Sequence, residues 1–149
     1  METPCLTRTY RSHHLDSERW DHVTLRSGDV VISTSMKAGT TWMQRIMSLL
    51  VFGPGPLPAP LVALSPWIDA AFLDDVESVV ATIEAQEHLR FLKSHLPFDA
   101  VPYDPAVRYV YVGRDTRDVF MSAFNHYSGY TELTYSLLDA AGGAAGPMP

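Results

Sequence analysis

Asp29-Val-Val-Ile-Ser-Thr34, then Ser35-Met-Lys-Ala-Gly39, then Thr40-Thr-Trp-Met-Gln-Arg-Ile-Met-Ser-Leu-Leu50 is the stretch on which the fold turns. The first piece is a short β-branched run and predicts a buried strand. The third has good helix formers, with Trp42, Met43, Ile46, Met47, Leu49 and Leu50 as its apolar residues. That pattern predicts a helix packed on a sheet. Between them lies a loop of small residues. A strand that feeds a helix through such a loop leaves backbone N–H groups pointing at one spot, and the helix dipole adds partial positive charge there. Lys37 adds a full charge, and Thr40 and Thr41 add hydroxyl donors. The stretch therefore reads as a phosphate site, against the plainer reading of a helix start with a surface lysine. It is not a Walker A loop, because Lys37 precedes Gly39 and no Gly-Lys-Ser/Thr occurs.

Working outward, residues 1–28 are polar and mixed and read as a lead-in. The segment from Gly53 to Pro66 carries Pro54, Pro56, Pro58 and Pro60 as well, with no helical period, and reads as a loop. Asp74 or Asp75 can cap a helix whose Val76, Val79, Val80 and Ile83 recur at helical spacing. Arg90-Phe-Leu-Lys-Ser-His95 predicts a second strand, stopped by Pro97, and Arg108-Tyr-Val-Tyr-Val112 a third. Asp115 is the expected cap of a helix over Thr116–Tyr127. Helices between strands favour an α/β domain with a parallel sheet. Residues 140–149 are Ala, Gly and Pro with one Met, and are expected to be a loop or a disordered end.

Composition narrows the function. The 149 residues suffice for one domain, and 46% apolar content is that of a globular chain. The net charge of −6 argues against a nucleic-acid partner bound by counterion release. Basic groups must therefore act locally. The one cysteine, Cys5, excludes an internal disulfide and a thiolate metal cluster, and none of the six histidines forms an HExxH pair. No apolar run is long enough to span a bilayer, and Met1–Tyr10 lacks the apolar core of a secretion signal. A cytoplasmic setting is the expectation.

Two further loops carry chemistry. Arg114-Asp-Thr-Arg-Asp118 follows the third strand directly, with Ser122 further along the helix. The C-terminal edge of an open α/β sheet is where ligands bind. Arg114 can fork onto a phosphate and Ser122 can donate a hydroxyl. Asp115, Arg117 and Asp118 read as a helix start with local ion pairs, and Arg114 alone could belong with them. Phe91-Leu-Lys-Ser-His-Leu-Pro97 puts His95 at a strand end on the same rim, where a histidine can act as a general base or simply be structural.

Together these residues resemble the sulfotransferase family, in its cytosolic branch and bacterial relatives. Lys37-Ala-Gly-Thr-Thr-Trp42 resembles the family's 5′-phosphosulfate loop, and Lys93-Ser-His-Leu-Pro97 its catalytic-histidine segment. Arg108-Tyr-Val-Tyr-Val-Gly-Arg-Asp-Thr-Arg-Asp-Val-Phe-Met-Ser122 resembles its 3′-phosphate strand and helix. Ser65-Pro-Trp67 and Asp16-Ser-Glu-Arg-Trp20 are weaker similarities. The resemblance implies a P-loop-like nucleotide-binding domain, a parallel sheet flanked by helices. It also implies PAPS (3′-phosphoadenosine-5′-phosphosulfate) as co-substrate, no metal, and a small-molecule or lipid acceptor bearing a hydroxyl or amine. Lys37 would contact the phosphosulfate and Lys93 assist. Thr40, Thr41 and the N–H groups from Ala38 through Gly39 to Trp42 would hold the 5′-phosphate. Trp42 would pack near the adenine, or else in the core. Arg114 and Ser122 would bind the 3′-phosphate, and His95 would take the acceptor's proton.

Two departures stand out. Met36 occupies a position where the family usually has proline, and losing that fixed φ loosens the loop slightly. The family's pattern also continues past residue 149, which predicts an incomplete domain. Phe120, Phe124, Tyr127 and Leu137 would then present outward apolar faces. The alternative function is accordingly a truncated relative that binds the nucleotide with little or no turnover.

Overall fold

The computed structural model describes residues 5–142. Three parallel strands form the sheet: β1 (Val30–Thr34), β2 (Phe91–Ser94) and β3 (Arg108–Val112), in the order β2-β1-β3. Val30 is level with Phe91 on one side and Arg108 on the other. Every residue of β1 is buried, as expected for the middle strand of a covered parallel sheet. The helices are α1 (Thr40–Phe52), α2 (Leu61–Leu64), α3 (Val76–Glu84), α4 (Thr116–Tyr127) and α5 (Glu132–Gly142). Asp75 and Asp115 cap α3 and α4, accepting from the amides of Ser78 and Arg117.

The two-residue period of the strands sorts the core into two layers. Val31 and Leu92 face a cluster with Trp20, Ile68, Val79 and Ile83. Val30, Ile32 and Phe91 face the other way, against Leu64 and the half-buried Met43, Met47, Val51 and Phe52. Helix α1 thus covers the sheet, with Met43 and Met47 of its expected apolar set but not with the rest. Trp42, Ile46, Leu49 and Leu50 point outward, while Thr40, Gln44 and Ser48 are buried. The helix is phased by its anchor: the Thr40 hydroxyl is bonded to the Thr34 hydroxyl at the end of β1. One turn on, Gln44 Nε2 donates to the Ser65 carbonyl at 3.0 Å. Trp42 is therefore not a core residue.

Other departures are local. The lead-in contains a 3₁₀ turn, Ser17–His22, capped by Asp16, and its Trp20 is buried against the sheet's far layer. The proline-rich loop ends in the single turn α2. Ala140, Ala141 and Gly142, expected as loop, belong to α5, because the alanines extend a helix seated by the fully buried Leu138. Residues 143–149 lie outside the described residues. Helix α4 has no buried residue; Phe120 and Phe124 are 66% and 58% exposed, Leu137 is exposed, and Tyr127 is half-buried.

Asp29 and Arg90, just before β1 and β2, are both buried. Arg90 Nε donates to Asp29 Oδ1 at 2.9 Å and its Nη2 to Asp29 Oδ2 and the Thr24 carbonyl. Asp29 Oδ2 also accepts from the Arg26 amide at 2.8 Å. Removing one partner strands the other charge in the interior. Arg90→Met should therefore lower the unfolding free energy by about 3–5 kcal/mol, read as a fall in the urea midpoint; an unchanged midpoint would show the pair to be dispensable.

Candidate active site

All three strands end on one edge, and the loops that follow them line a cleft of about 470 Å³. From the loop after β1 come Met36, Lys37 and Gly39, and from the first turn of α1 Thr40, Thr41 and Trp42. β2 supplies Lys93 and, at its end, His95; β3 and α4 supply Arg114 and Ser122. Of the residues expected to bind or react, only Ala38 does not line it. Ala38 is buried, and its N–H donates to the Ser35 carbonyl at 3.2 Å. That amide is engaged within the turn, so the anion-facing amides begin after it.

The loop has a specific backbone shape. Lys37 has φ +63° and Gly39 φ +117°, both in the left-handed region. Glycine reaches that region without steric cost, whereas lysine is there at some expense, a feature common at ligand loops. Met43 donates to the Gly39 carbonyl at 3.1 Å. The amides of Thr40, Thr41 and Trp42 thus precede the helical ladder and face the cleft end of the dipole. The Thr40 hydroxyl is shared with Thr34, so it braces the loop against β1 as well as lining the cleft. Arg114 Nη1 donates to the Lys37 carbonyl at 3.3 Å, tying the β3 loop to the β1 loop. Trp42 stands 80% exposed at the rim.

His95 is held from two sides. Its Nδ1 lies 2.8 Å from the Thr34 carbonyl, an acceptor, so Nδ1 carries the proton and Nε2 is the basic nitrogen. Its backbone N–H donates to Asp69 Oδ2 at 2.9 Å. The Trp67 ring meets the imidazole edge-on at 4.9 Å and lies under the Lys93 ammonium at 4.0 Å. Burial, with Lys93 and Lys37 adding to it, brings the imidazole down to about 4. Burial also lowers the Lys93 ammonium to about 8, with Lys37 adding and Asp69 opposing. At neutral pH the site therefore holds a neutral histidine between cations. None of the side chains lining the cleft is acidic, in a chain of net charge −6. Among the described residues no three His, Cys, Asp or Glu side chains gather as a metal site.

The far wall was not read from the sequence as part of a site; of its residues only Tyr127 was named, as an outward apolar face, and it turns to the cleft instead. His14, Phe72, Tyr127 and Tyr130 form the wall, with His14 ring centroids 5.6 Å from Phe72 and 5.8 Å from Tyr127. They come from the lead-in, the segment before α3, and the end of α4 with the turn after it, so no local spacing links His14 and Phe72 to the two tyrosines. Ser122 and His126 are four apart on α4 and share its cleft-facing side.

Comparison with known proteins agrees with this architecture. Residues 27–137 match the sulfotransferase domain family, and the chain belongs to that family. It is 45% identical over 132 residues to a glycolipid sulfotransferase of Mycobacterium tuberculosis, covering 89% of this chain and 40% of that one. It is 36% identical over 107 residues to sulfotransferase 1A1 of Rattus norvegicus, covering 67% and 36%. The fold is shared with retinol dehydratase in complex with retinol and PAP, at a TM-score of 0.55 and 20% identity over 74% of this chain and 42% of that one. The chain thus spans about 40% of the length of the curated relatives it matches.

The electrostatics give a direct test. In an NMR pH titration the His95 ring should stay neutral down to about pH 4, and Lys93 should lose its proton near pH 8. An unfolded histidine binds its proton from about 6.5 downward. The contribution of neutral His95 to stability should therefore be complete above that pH and be lost as pH falls through about 4. A His95 midpoint near 6.5 would mean a solvated ring and would contradict this geometry.

Proposed function

We propose that this protein acts as a sulfotransferase, moving the sulfuryl group of PAPS to the hydroxyl or amine of a small-molecule or lipid acceptor. The observation that carries the reading is the convergence of Lys37, Lys93, His95, Arg114 and Ser122 on one acid-free cleft at the sheet's C-terminal edge. Lys37 and the amides of Thr40, Thr41 and Trp42 suit the 5′-phosphosulfate, and Gly39 allows the backbone to reach it. Arg114 and Ser122, across the cleft, suit the 3′-phosphate. Trp42 offers an exposed ring to the adenine. The aromatic wall of Phe72, Tyr127 and Tyr130 suits an acceptor with an apolar body.

In this reading the acceptor oxygen or nitrogen attacks sulfur, the bond from sulfur to the 5′-phosphate oxygen breaks, and adenosine 3′,5′-bisphosphate leaves. His95 Nε2 takes the acceptor proton. Lys37 and Lys93 balance the charge that grows on the departing phosphate. The same two cations add to burial in depressing His95 in the free protein. A bound phosphosulfate dianion cancels part of their field and returns basicity to the ring when the base is needed. No step calls for a metal or a nucleic-acid partner. The proposed setting is the cytoplasm, consistent with an exposed unpaired Cys5 and no described helix long and apolar enough to cross a membrane. The exposed apolar face of α4 favours a second reading, a chain that binds the nucleotide with little turnover.

Two experiments test this. By calorimetry, adenosine 3′,5′-bisphosphate should bind at least about tenfold more tightly than AMP, because a lost charge-assisted hydrogen bond costs about 1.5–3 kcal/mol; equal affinity would sink the nucleotide assignment. With labelled PAPS and a panel of phenols and hydroxylated lipids, His95→Ala should lower turnover by about 10²–10⁴ and leave nucleotide affinity nearly unchanged. Lys37→Ala should impair both. Retention of most of the rate by His95→Ala would remove His95 as the base, and tight binding without turnover in the wild-type chain would favour the second reading.

A further inference from the structure

Behind the cleft sits a carboxylate that the chemistry above does not use. Asp69 is fully buried. Its Oδ2 accepts from the His95 amide at 2.9 Å and from Trp67 Nε1 at 3.0 Å, and its Oδ1 accepts from Trp20 Nε1 at 3.3 Å. Each of those donors is neutral. The chain's other buried aspartate, Asp29, is neutralised in place by Arg90 and does a structural job. A buried carboxylate with neutral donors alone is costly to keep charged. Burial does push the Asp69 carboxyl up, against the bonds from His95, Trp67 and Ser94. The cation that feels Asp69 is Lys93, in the cleft.

We propose that Asp69 is a positioning residue of the transfer site: one carboxylate oxygen locks the His95 backbone and the Trp67 indole together, and the charge behind them steadies the Lys93 ammonium seated on Trp67. The inference rests on reading the cleft as the site of sulfuryl transfer. The geometry makes the coupling rigid. Trp67 contacts both reactive side chains, edge-on to His95 and face-on to Lys93, so fixing its indole N–H fixes the ring that separates them. A ring free to rotate about its χ angles would release both.

The backbone around Asp69 is held independently of its side chain. Lys93 N donates to the Pro66 carbonyl at 2.9 Å and Ile68 N to the Lys93 carbonyl at 3.2 Å, so residues 66–68 run along β2. On the other side Asp16 N donates to the Asp69 carbonyl and Ala71 N to the His14 carbonyl, both at 3.0 Å. Asp69→Asn therefore keeps the strip's frame. It removes the charge and sets an amide N–H against at least one N–H donor. If Asp69 only braced the fold, losing its charge would not reach Lys93.

The test compares the wild-type chain, Asp69→Asn and Trp20→Phe, which deletes the one donor remote from the cleft. The charged and titratable groups around Lys93 are Lys37 from the β1 loop, His95 from the end of β2, and Asp69. In Asp69→Asn the Lys93 midpoint, followed by NMR of ¹³C-labelled lysine, should fall below about 8, because the negative charge that raises it is gone. Turnover should drop about 10–100-fold, as for groups that orient a functional ligand, with KM for PAPS little changed. Trp20→Phe should lower the melting temperature and leave the Lys93 midpoint and the turnover of folded protein alone. An unmoved Lys93 midpoint in Asp69→Asn, with a turnover loss no greater than that of Trp20→Phe, overturns the proposal. Absence of turnover in the wild-type chain counts against the sulfuryl-transfer reading, and the Lys93 titration then still decides Asp69. Should Asp69→Asn fail to fold, the wild-type protein gives the answer. The His95 amide and Trp67 indole protons should exchange with deuterium together and slowly, and exchange of the indole proton at a free rate overturns the lock.

Discussion

β1 is hydrogen-bonded along both edges, with Val30–Ser33 level with Phe91–Ser94 on one side and Val30–Thr34 level with Arg108–Val112 on the other. Because the pairing is parallel, each strand leaves the sheet at the same edge. The loop with Lys37, the strand end with His95 and the turn with Arg114 therefore meet. An antiparallel partner would have sent one of these groups to the opposite edge. The register matters as much as the direction. Ser33 is level with Ser94, so His95 comes within 2.8 Å of the Thr34 carbonyl. A slip of one residue would turn Lys93 and His95 to the opposite faces.

That edge concentrates positive charge in an acidic chain. Lys37 acts on Lys93, His95 and His126, in each case adding to the effect of burial. A cluster of cations in a cleft with no acidic side chain lining it is unfavourable in the free protein and becomes more favourable when an anion enters. Oriented amides at the start of α1 contribute without ionising. This electrostatic arrangement is what the proposed ligand, with more than one phosphate-like group, would require. The strained backbone at Lys37 fits this, since strain is tolerated where the surrounding structure demands it.

The buried polar groups divide by task. Asp29 and Arg90 satisfy each other between the starts of β1 and β2, away from the cleft, and secure the alignment of the strands. Thr34, Thr40, Asp69 and Trp67 do the corresponding work at the opposite ends, where the partners are the loop and His95. Both sets are hydrogen-bonded, as buried polar groups must be.

Local pattern determined the strands, α1, α3 and α4, because each has its own period and its own cap or breaker. Arg108–Val112 and Thr116–Tyr127 were legible to the residue. That Lys37, His95 and Arg114 lie on one rim was legible too, since each follows a strand of the same parallel sheet. Tertiary structure decided the rest. Which face of α1 turns inward depends on the bond from Thr40 to Thr34, so Trp42 and Leu50 are exposed despite their composition. Trp20 lies in a polar stretch and is buried because it packs with Val31, Ile68 and Leu92, its indole N–H donating to Asp69, 49 residues away. Asp69 itself carries no motif. Its meaning comes from donors brought together from the lead-in, from its own strip and from the end of β2, and a contact between segments distant in the chain leaves no period in any of them.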